Sequence, residues 1–282
     1  HNVRSIEALM ADGSRAHFKK LNGESYSNAN HQELVNQLLA LGQREANEIA
    51  ERFPDLLRRV GGYNIDELAK ADPNLASLLV GSEGTLGFFQ RIHLNLQPIP
   101  KNKVLGVCHF PTFYEAMENT QHIVKLNPSA VELIDRTMID LARDISIYAP
   151  IVNRFVQGEP QALLLVEFAG EDYDEQLKGL KQLVELMADL GFPNAVVEAT
   201  DDFQNEIMEV RKSGLNIMMS MKGDGKPISF IEDCAVRLED LAEYTRRLTD
   251  IFHEHGTTGT FYAHASVGTL HVRPVLNMKE ES

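Results

Sequence analysis

The 282-residue sequence predicts an α+β fold in two domains. Three observations carry this. Strand-like and helix-like segments alternate along the chain, a connector rich in proline and lysine interrupts them near residue 100, and no uncharged apolar run is long enough to span a bilayer. Hydrophobic residues at 43% and charged residues at 24% suit a packed core under a wetted surface. The formal net charge of -14 argues against a nucleic-acid partner, because phosphate backbones are bound by neutralising Lys and Arg. Two cysteines, Cys108 and Cys234, are too few for a disulfide framework or an iron-sulfur cluster and fit a reducing cytoplasm.

The first domain is expected to open with a β-hairpin. Val3 to Ala11 and Arg15 to Lys20 flank Asp12-Gly13, a dipeptide that supplies the positive φ of a tight turn. His1-Asn2-Val3 shows neither an initiating Met nor a leader pattern, so the hairpin reads as a chain entered within a domain. Leu34, Leu38 and Leu41 recur at helical spacing, with Ile49 roughly in line, which predicts one long surface helix from His31 to Phe53, stopped by Pro54. Gly61-Gly62-Tyr63-Asn64 breaks that pattern before a short helix at Ile65 to Ala71. Leu78-Leu79-Val80 leads into a glycine-rich turn, and the alternation from Phe89 to Leu96 predicts a strand, with Phe88 and Phe89 in the core. Gln97 to Lys103 is the connector, so the domains are expected to span 1–100 and 101–282.

In the second domain the pattern predicts strand Val104 to Phe110, a helix after Thr112, and strands Ala130 to Ile134 and Ala162 to Phe168. Helix Asp174 to Leu190, strand Ala195 to Ala199 and a helix from Phe203 to about Met219 follow. Strand Ile228 to Glu232, helix Leu238 to His253 and a final strand pair complete the set, and no element is assigned between Ile134 and Ala162. Thr112 with Glu115 forms a capping box, and Leu177, Leu180, Val184 and Met187 form a core stripe ended by Gly191 and Pro193. The expected result is an antiparallel or mixed sheet with helices over one face.

Val80-Gly81-Ser82-Glu83-Gly84-Thr85-Leu86-Gly87-Phe88 places three glycines and two hydroxyls between two apolar segments expected as strands. Backbone N–H groups there can approach an anion closely, and such a loop can cradle a pyrophosphate. It is neither a Walker A loop nor a Rossmann turn, and a tight structural turn is an equal reading. His264 and His271 stand near the chain end with six residues between them. With Val267-Gly268 as a two-residue hairpin turn, the two would pair directly across the hairpin and reach one metal, with Arg273 on the same face. Two partly buried, hydrogen-bonded histidines are the alternative. Arg211 borders the apolar stripe of Phe203, Ile207, Val210 and Leu215, where a solvated helix arginine is the default. Lys222 and Lys226 are assigned to a surface loop.

The Gly-Ser-Glu-Gly-Thr-Leu-Gly run, followed by an amphipathic strand and a proline-rich exit, resembles the FAD-binding domain of the vanillyl-alcohol oxidase type. Asn2-Val3 through Gly13 resembles the strand and turn of the same domain, and Gly62-Tyr63-Asn64 resembles its Gly-Tyr element. Phe261 to His271 resembles the H-x-x-x-G-x-L-H motif of the FAD-linked oxidase C-terminal domain. Nearly the whole chain is similar to D-lactate, glycolate and D-2-hydroxyglutarate dehydrogenases, above all to the large bacterial form in which this unit precedes an iron-sulfur domain.

The resemblance implies a partial FAD-binding domain followed by a substrate domain. It implies FAD contacts at Asn2, Val3, Gly81, Ser82, Glu83, Gly84, Thr85 and Gly87, and a divalent metal such as zinc at His264 and His271. Arg211 and Arg273 would take the carboxylate of a small D-2-hydroxy acid, of D-2-hydroxyglutarate or D-lactate type, on its way to the 2-oxo acid. Electrons would leave to an acceptor or a fused iron-sulfur domain, in the cytoplasm or peripheral to a membrane. The family's first FAD subdomain is expected before His1, and its Glu-His-Gly segment, with a further metal ligand and the candidate base, beyond Ser282. The chain as it stands is therefore expected to be inactive. Glu254-His255-Gly256 spells the same letters but closes a helix ahead of the His264 motif. Ala263 stands where Gly is usual, and Val267 where an acidic residue is frequent in smaller relatives. Two other classes stay open: a non-catalytic binding or assembly module of the same fold, and a metal-dependent hydrolase built on the two histidines.

Overall fold

The computed structural model describes residues 2–21, 29–59 and 61–280. It contains two compact units, one of His1–Asp55 and Arg59–Ile99 and the other of Leu56–Arg58 and Pro100–Ser282. Among the described residues no helix is long and apolar enough to cross a membrane.

The first unit is built on the hairpin. β1 (Val3–Leu9) pairs antiparallel with β2 (Arg15–Lys19), and Gly13 takes φ 81 in the turn between them. The single helix expected over 31–53 is two, α1 (Ala29–Arg44) and α2 (Ala46–Arg52), separated at Glu45, whose ψ of 6 leaves the helical region. Gly42 lets α1 lie against the 3-10 turn Ile65–Ala69, since the Leu68 carbonyl occupies the place of a Cβ. α3 (Leu75–Leu79), capped by the Asn74 side chain accepting from Ala76 N–H, enters the glycine-rich turn, where the apolar run reads from sequence as a strand. Three of its apolar side chains, Leu75, Leu78 and Leu79, pack on Ile6, Ala8 and Phe18. β3 (Phe88–Leu94) completes the order β2-β1-β3 as an edge strand. Phe89 packs against the core as expected, but Phe88 is 69% exposed, because adjacent residues of an edge strand point to opposite faces.

The second unit continues with β4 (Asn102–Phe110), α4 (Phe113–Ile123), β5 (Ala130–Asp135), α5 (Arg136–Arg143), α6 (Ala149–Phe155) and β6 (Ala162–Gly170). It ends with α7 (Tyr173–Asp189), β7 (Val196–Ala199), α8 (Phe203–Lys212), α9 (Gly214–Met219), β8 (Lys226–Pro227), β9 (Ile231–Ala235), α10 (Leu241–Glu254), β10 (Gly259–His264) and β11 (Thr269–Leu276). The antiparallel sheet runs β7-β4-β6-β5-β10-β11-β8, with β9 also on β11. Helices cover both faces, not the one expected. Val104, Cys108, Leu164 and Val166 pack under residues of α4, α7 and α10, while Leu105, Val107, Leu163 and Leu165 pack under residues of α5, α6, α8 and α9. A strand buried on both sides reads as a continuous apolar run, and Ala162 to Val166 is one. The buried stripe of α7 is Gln176, Leu180, Leu183 and Met187, with Val184 only partly covered. Thr112 caps α4 by accepting from Glu115 N–H.

Candidate functional site

The hairpin of β10 and β11 carries a polar face among apolar neighbours. Phe261, Ala263, Leu270 and Val272 point into the core with α4 and α10, so the alternate residues Thr260, Tyr262, His264, Thr269, His271 and Arg273 share the other face. The two-residue turn is not formed. Val267 resists positive φ, so Ala265–Val267 wind into a 3-10 turn and Gly268 alone takes φ 67. His264 therefore opposes Thr269, and His271 opposes Tyr262. A shift of two in the pairing keeps the face, and the imidazoles meet diagonally, with ring centroids 5.5 Å apart.

Each imidazole is held at Nδ1 by a carboxylate, and each carboxylate by an arginine. β5 places Glu132 directly opposite His264, and its Oε1 lies 3.0 Å from His264 Nδ1. Arg211 donates to Glu132 Oε2 at 2.6 Å and to the Ala263 carbonyl at 3.2 Å. Glu232 Oε2 lies 2.7 Å from His271 Nδ1, while Glu232 Oε1 accepts from Arg273 Nε at 2.8 Å. Burial raises the Glu232 carboxyl, but hydrogen bonds from Ser229 and His271 and the Arg273 charge outweigh it and leave the group below its ordinary value. Tyr262 lies between the two sets, stacked on His271 at 4.4 Å and accepting from Arg273 at its hydroxyl. Burial pushes its phenol up, partly offset by the charge of Arg273. Arg211 is only 7% exposed, so it belongs to the buried set rather than bordering it; Leu215 lies exposed beyond the end of α8. Arg211 Nε, Thr260 Oγ1 and Thr269 Oγ1 are buried without a hydrogen-bond partner among the described residues.

Asp135 braces this face from below. Its carboxylate accepts from Met138 N–H, capping α5, and from Phe261 N–H in β10. Complete burial raises it to about 6 despite those two bonds. Lys226 opens β8 instead of lying in a loop and donates to the Met221 carbonyl. Glu254-His255-Gly256 ends α10, which packs against the opposite face of the sheet, so it contributes nothing here.

Among the described residues no three His, Cys, Asp or Glu side chains are arranged to hold a metal. The donor chemistry nevertheless fits two ligands of a larger set, since a metal-bound imidazole usually gives its other ring N–H to a carboxylate. Glu132, Glu232, Tyr262 and Asp233, whose Oδ1 is 3.5 Å from His271 Nδ1, stand in no motif that singles them out in the sequence. A carboxylate inside the apolar strand Ala-Val-Glu-Leu-Ile-Asp is the available signal.

The glycine-rich turn of the first unit is open and exposed. Gly81 and Gly84 both take φ 79, and nothing lies within 4 Å of a Cβ built on either. Glu83 also adopts positive φ. Asn64 Nδ2 donates to the Ser77 and Val80 carbonyls, Tyr63 Oη contacts Thr85 Oγ1 at 2.8 Å, and Thr85 donates to the Ser82 carbonyl. Ser82 Oγ is buried without a hydrogen-bond partner among the described residues. Bare backbone in left-handed conformations beside an unanswered hydroxyl fits the approach of a phosphate-bearing cofactor. Gly87 makes ordinary contacts with Leu9 and Ala8. Asn2 and Val3 are not brought to this loop. Val3 pairs with Leu94 and Leu9 with Phe88, so they lie about 20 Å away along the strand.

Residues 99–282 match the family model of FAD linked oxidases, C-terminal domain. The chain is 30% identical over 257 residues to D-2-hydroxyglutarate dehydrogenase of Pantoea ananatis, covering 87% of this chain and 25% of that protein. It is 28% identical over 218 residues to D-lactate dehydrogenase of Archaeoglobus fulgidus, covering 77% of this chain and 45% of the other. The chain thus spans between about a quarter and about half of these relatives. Among solved structures it resembles p-cresol methylhydroxylase with substrate bound, at TM-score 0.58 and 13% identity, over 99% of this chain and 52% of the other.

Proposed function

The chain belongs to the FAD-linked oxidases through their C-terminal domain, and from that premise we propose that it serves the oxidation of a D-2-hydroxy acid, of D-2-hydroxyglutarate or D-lactate type, to the 2-oxo acid. The observation that carries this reading is the polar face on which His264 and His271 meet beside Arg211 and Arg273. The names of the relatives at 30% and 28% identity support the substrate class.

FAD, when bound, supplies the acceptor for the hydride of the substrate carbon. In this reading the backbone of Gly81 to Gly87, with Ser82, Glu83 and Thr85, would hold its phosphates, and Asn2 and Val3 would contribute further contacts to it. A divalent cation such as zinc, when held by His264 and His271 with a further ligand, supplies Lewis acidity toward the substrate oxygens. Arg211 and Arg273, each paired with a glutamate, would orient the substrate carboxylate. Tyr262 fixes the distance between the two arginines, which lie 4.9 and 5.4 Å from its ring. The hydroxyl proton goes to a base other than these residues. Electrons pass to an acceptor, of which a fused iron-sulfur domain is one form, and a cytoplasmic or membrane-peripheral setting suits either. Anaerobic addition of D-2-hydroxyglutarate and D-lactate to a flavin-loaded protein that carries this chain together with the segments expected before His1 and beyond Ser282 tests the reading. Bleaching of the flavin by one of them is expected, and its absence with both, and with a wider panel of D-2-hydroxy acids, rejects it.

A further inference from the structure

We propose that Glu132 and Glu232 are positioning residues that lock both His264 and His271 in the tautomer protonated on Nδ1, leaving the two Nε2 atoms as bare acceptors. The inference takes its purpose from the metal reading above, but it stands on hydrogen-bond logic that needs no metal. An arginine only donates, and a carboxylate paired with it is ionised and only accepts. Arg211 donates to Glu132 and Arg273 donates to Glu232. The proton on each histidine–glutamate line therefore belongs to Nδ1, at 3.0 Å from Glu132 and 2.7 Å from Glu232. A neutral imidazole protonated at Nδ1 carries its lone pair on Nε2. This is the reverse of the form that predominates in a free histidine side chain, so the carboxylates select a tautomer that the residue alone would not.

The two relays take their carboxylates from different strands, β5 and β9, but share one pattern. Glu132 reaches His264 across a regular strand pair. Glu232 reaches His271 beside an irregularity, since the β9–β11 register shifts between Leu270 and Val272 and Asp233 takes φ 54. Successive residues of a regular strand point to opposite faces, yet here Glu232 and Asp233 both approach His271 Nδ1, at 2.7 and 3.5 Å. A left-handed Asp held in a strand is strain of the kind that persists where surrounding contacts over-determine it.

The test is nitrogen NMR of histidine-labelled protein without added metal, about two pH units above the ordinary imidazole pKa of about 6.5. Resonances are assigned with His264→Gln and His271→Gln. Both rings are expected as Nδ1–H, with Nε2 in the unprotonated range. In Glu132→Gln and Glu232→Gln the amide can donate or accept, so the tautomers are expected to mix in the partner ring alone. Zinc chloride titration should then show affinity about 10–100-fold weaker in either glutamine variant. An Nε2–H tautomer in the unaltered protein overturns the proposal, and so do unchanged tautomers in both variants; the first measurement decides even where a variant fails to fold. Locked Nδ1–H rings in protein that binds no zinc support the positioning role and reject the metal reading instead.

Discussion

The glycine-rich turn and the histidine face solve the same problem, presenting polar groups to a ligand, by opposite means. The turn does it with backbone. Gly81 and Gly84 adopt φ 79 with empty space where a side chain would be, and the bonds that hold the loop come from near neighbours such as Asn64, Ser77 and Thr85. The histidine face does it with side chains drawn from β5, α8, β9, β10 and β11, buried enough that an unmatched charge is costly. The turn should therefore lose little stability on removal of a hydrogen bond or a glycine, though a side chain there would obstruct a ligand, whereas the face should tolerate neither removal of a charge nor a change in pairing.

The largest expected effect breaks the face. Glu132→Ala leaves the Arg211 side chain, 8% exposed, without its counter-charge, and a loss of about 3–5 kcal/mol in urea unfolding is expected. A loss below about 1 kcal/mol would mean that Arg211 swings to water and that the pairing is dispensable.

The next effect is a pH dependence that the turn should lack. Asp135 has a folded pKa of about 6 against 3.8 for the ordinary carboxyl. Well below pH 3.8 it is protonated in both states. As pH rises from about 4 to 6 the unfolded chain gives up its proton first, so stability falls, on the order of 3 kcal/mol in all, and then levels. In Asp135→Asn this component should vanish, so the gap between variant and unaltered protein should change between pH 4.5 and pH 7. A constant gap contradicts it.

Smaller effects belong to the turn. Gly84→Val forces a β-branched residue into the left-handed region, at about 1–2 kcal/mol. The new Cβ meets no atom within 4 Å, so thermal unfolding should register little beyond that backbone strain. Its main consequence, on the function proposed, is failure to retain FAD on gel filtration; full retention would remove the loop from the cofactor site. Tyr63→Phe removes one exposed hydroxyl interaction with Thr85 and should cost no more than about 0.5–1 kcal/mol.

What can be read from the sequence follows the same division. Asp12-Gly13 marks its turn because one residue must take φ 81, and the 81–87 loop is visible for the same local reason. Glu132 cannot be paired with His264 in this way, since only the strand order that sets β5 beside β10 brings together residues 132 positions apart. The expected hairpin register fails on one residue. Spacing places Val267 in a two-residue turn, but four residues close it, with Gly268 as the left-handed one and the Val236 carbonyl where its Cβ would sit. α5 is hidden because Arg136 follows β5 without a glycine or proline, although Asp135 is an N-cap followed by Met138, Ile139 and Ala142 on one buried face.

The most direct test of the account separates flavin retention from substrate oxidation. In protein purified with FAD, His271→Ala should keep its flavin absorbance, because in this account the histidine acts on the substrate oxygens and not on the flavin. Anaerobic bleaching of that flavin by the D-2-hydroxy acid that reduces the unaltered protein should slow at least ~100-fold, the loss expected when a group acting on the substrate oxygens is removed. Bleaching at the unaltered rate, or loss of flavin in step with loss of bleaching, would contradict the assignment of His271 to the substrate.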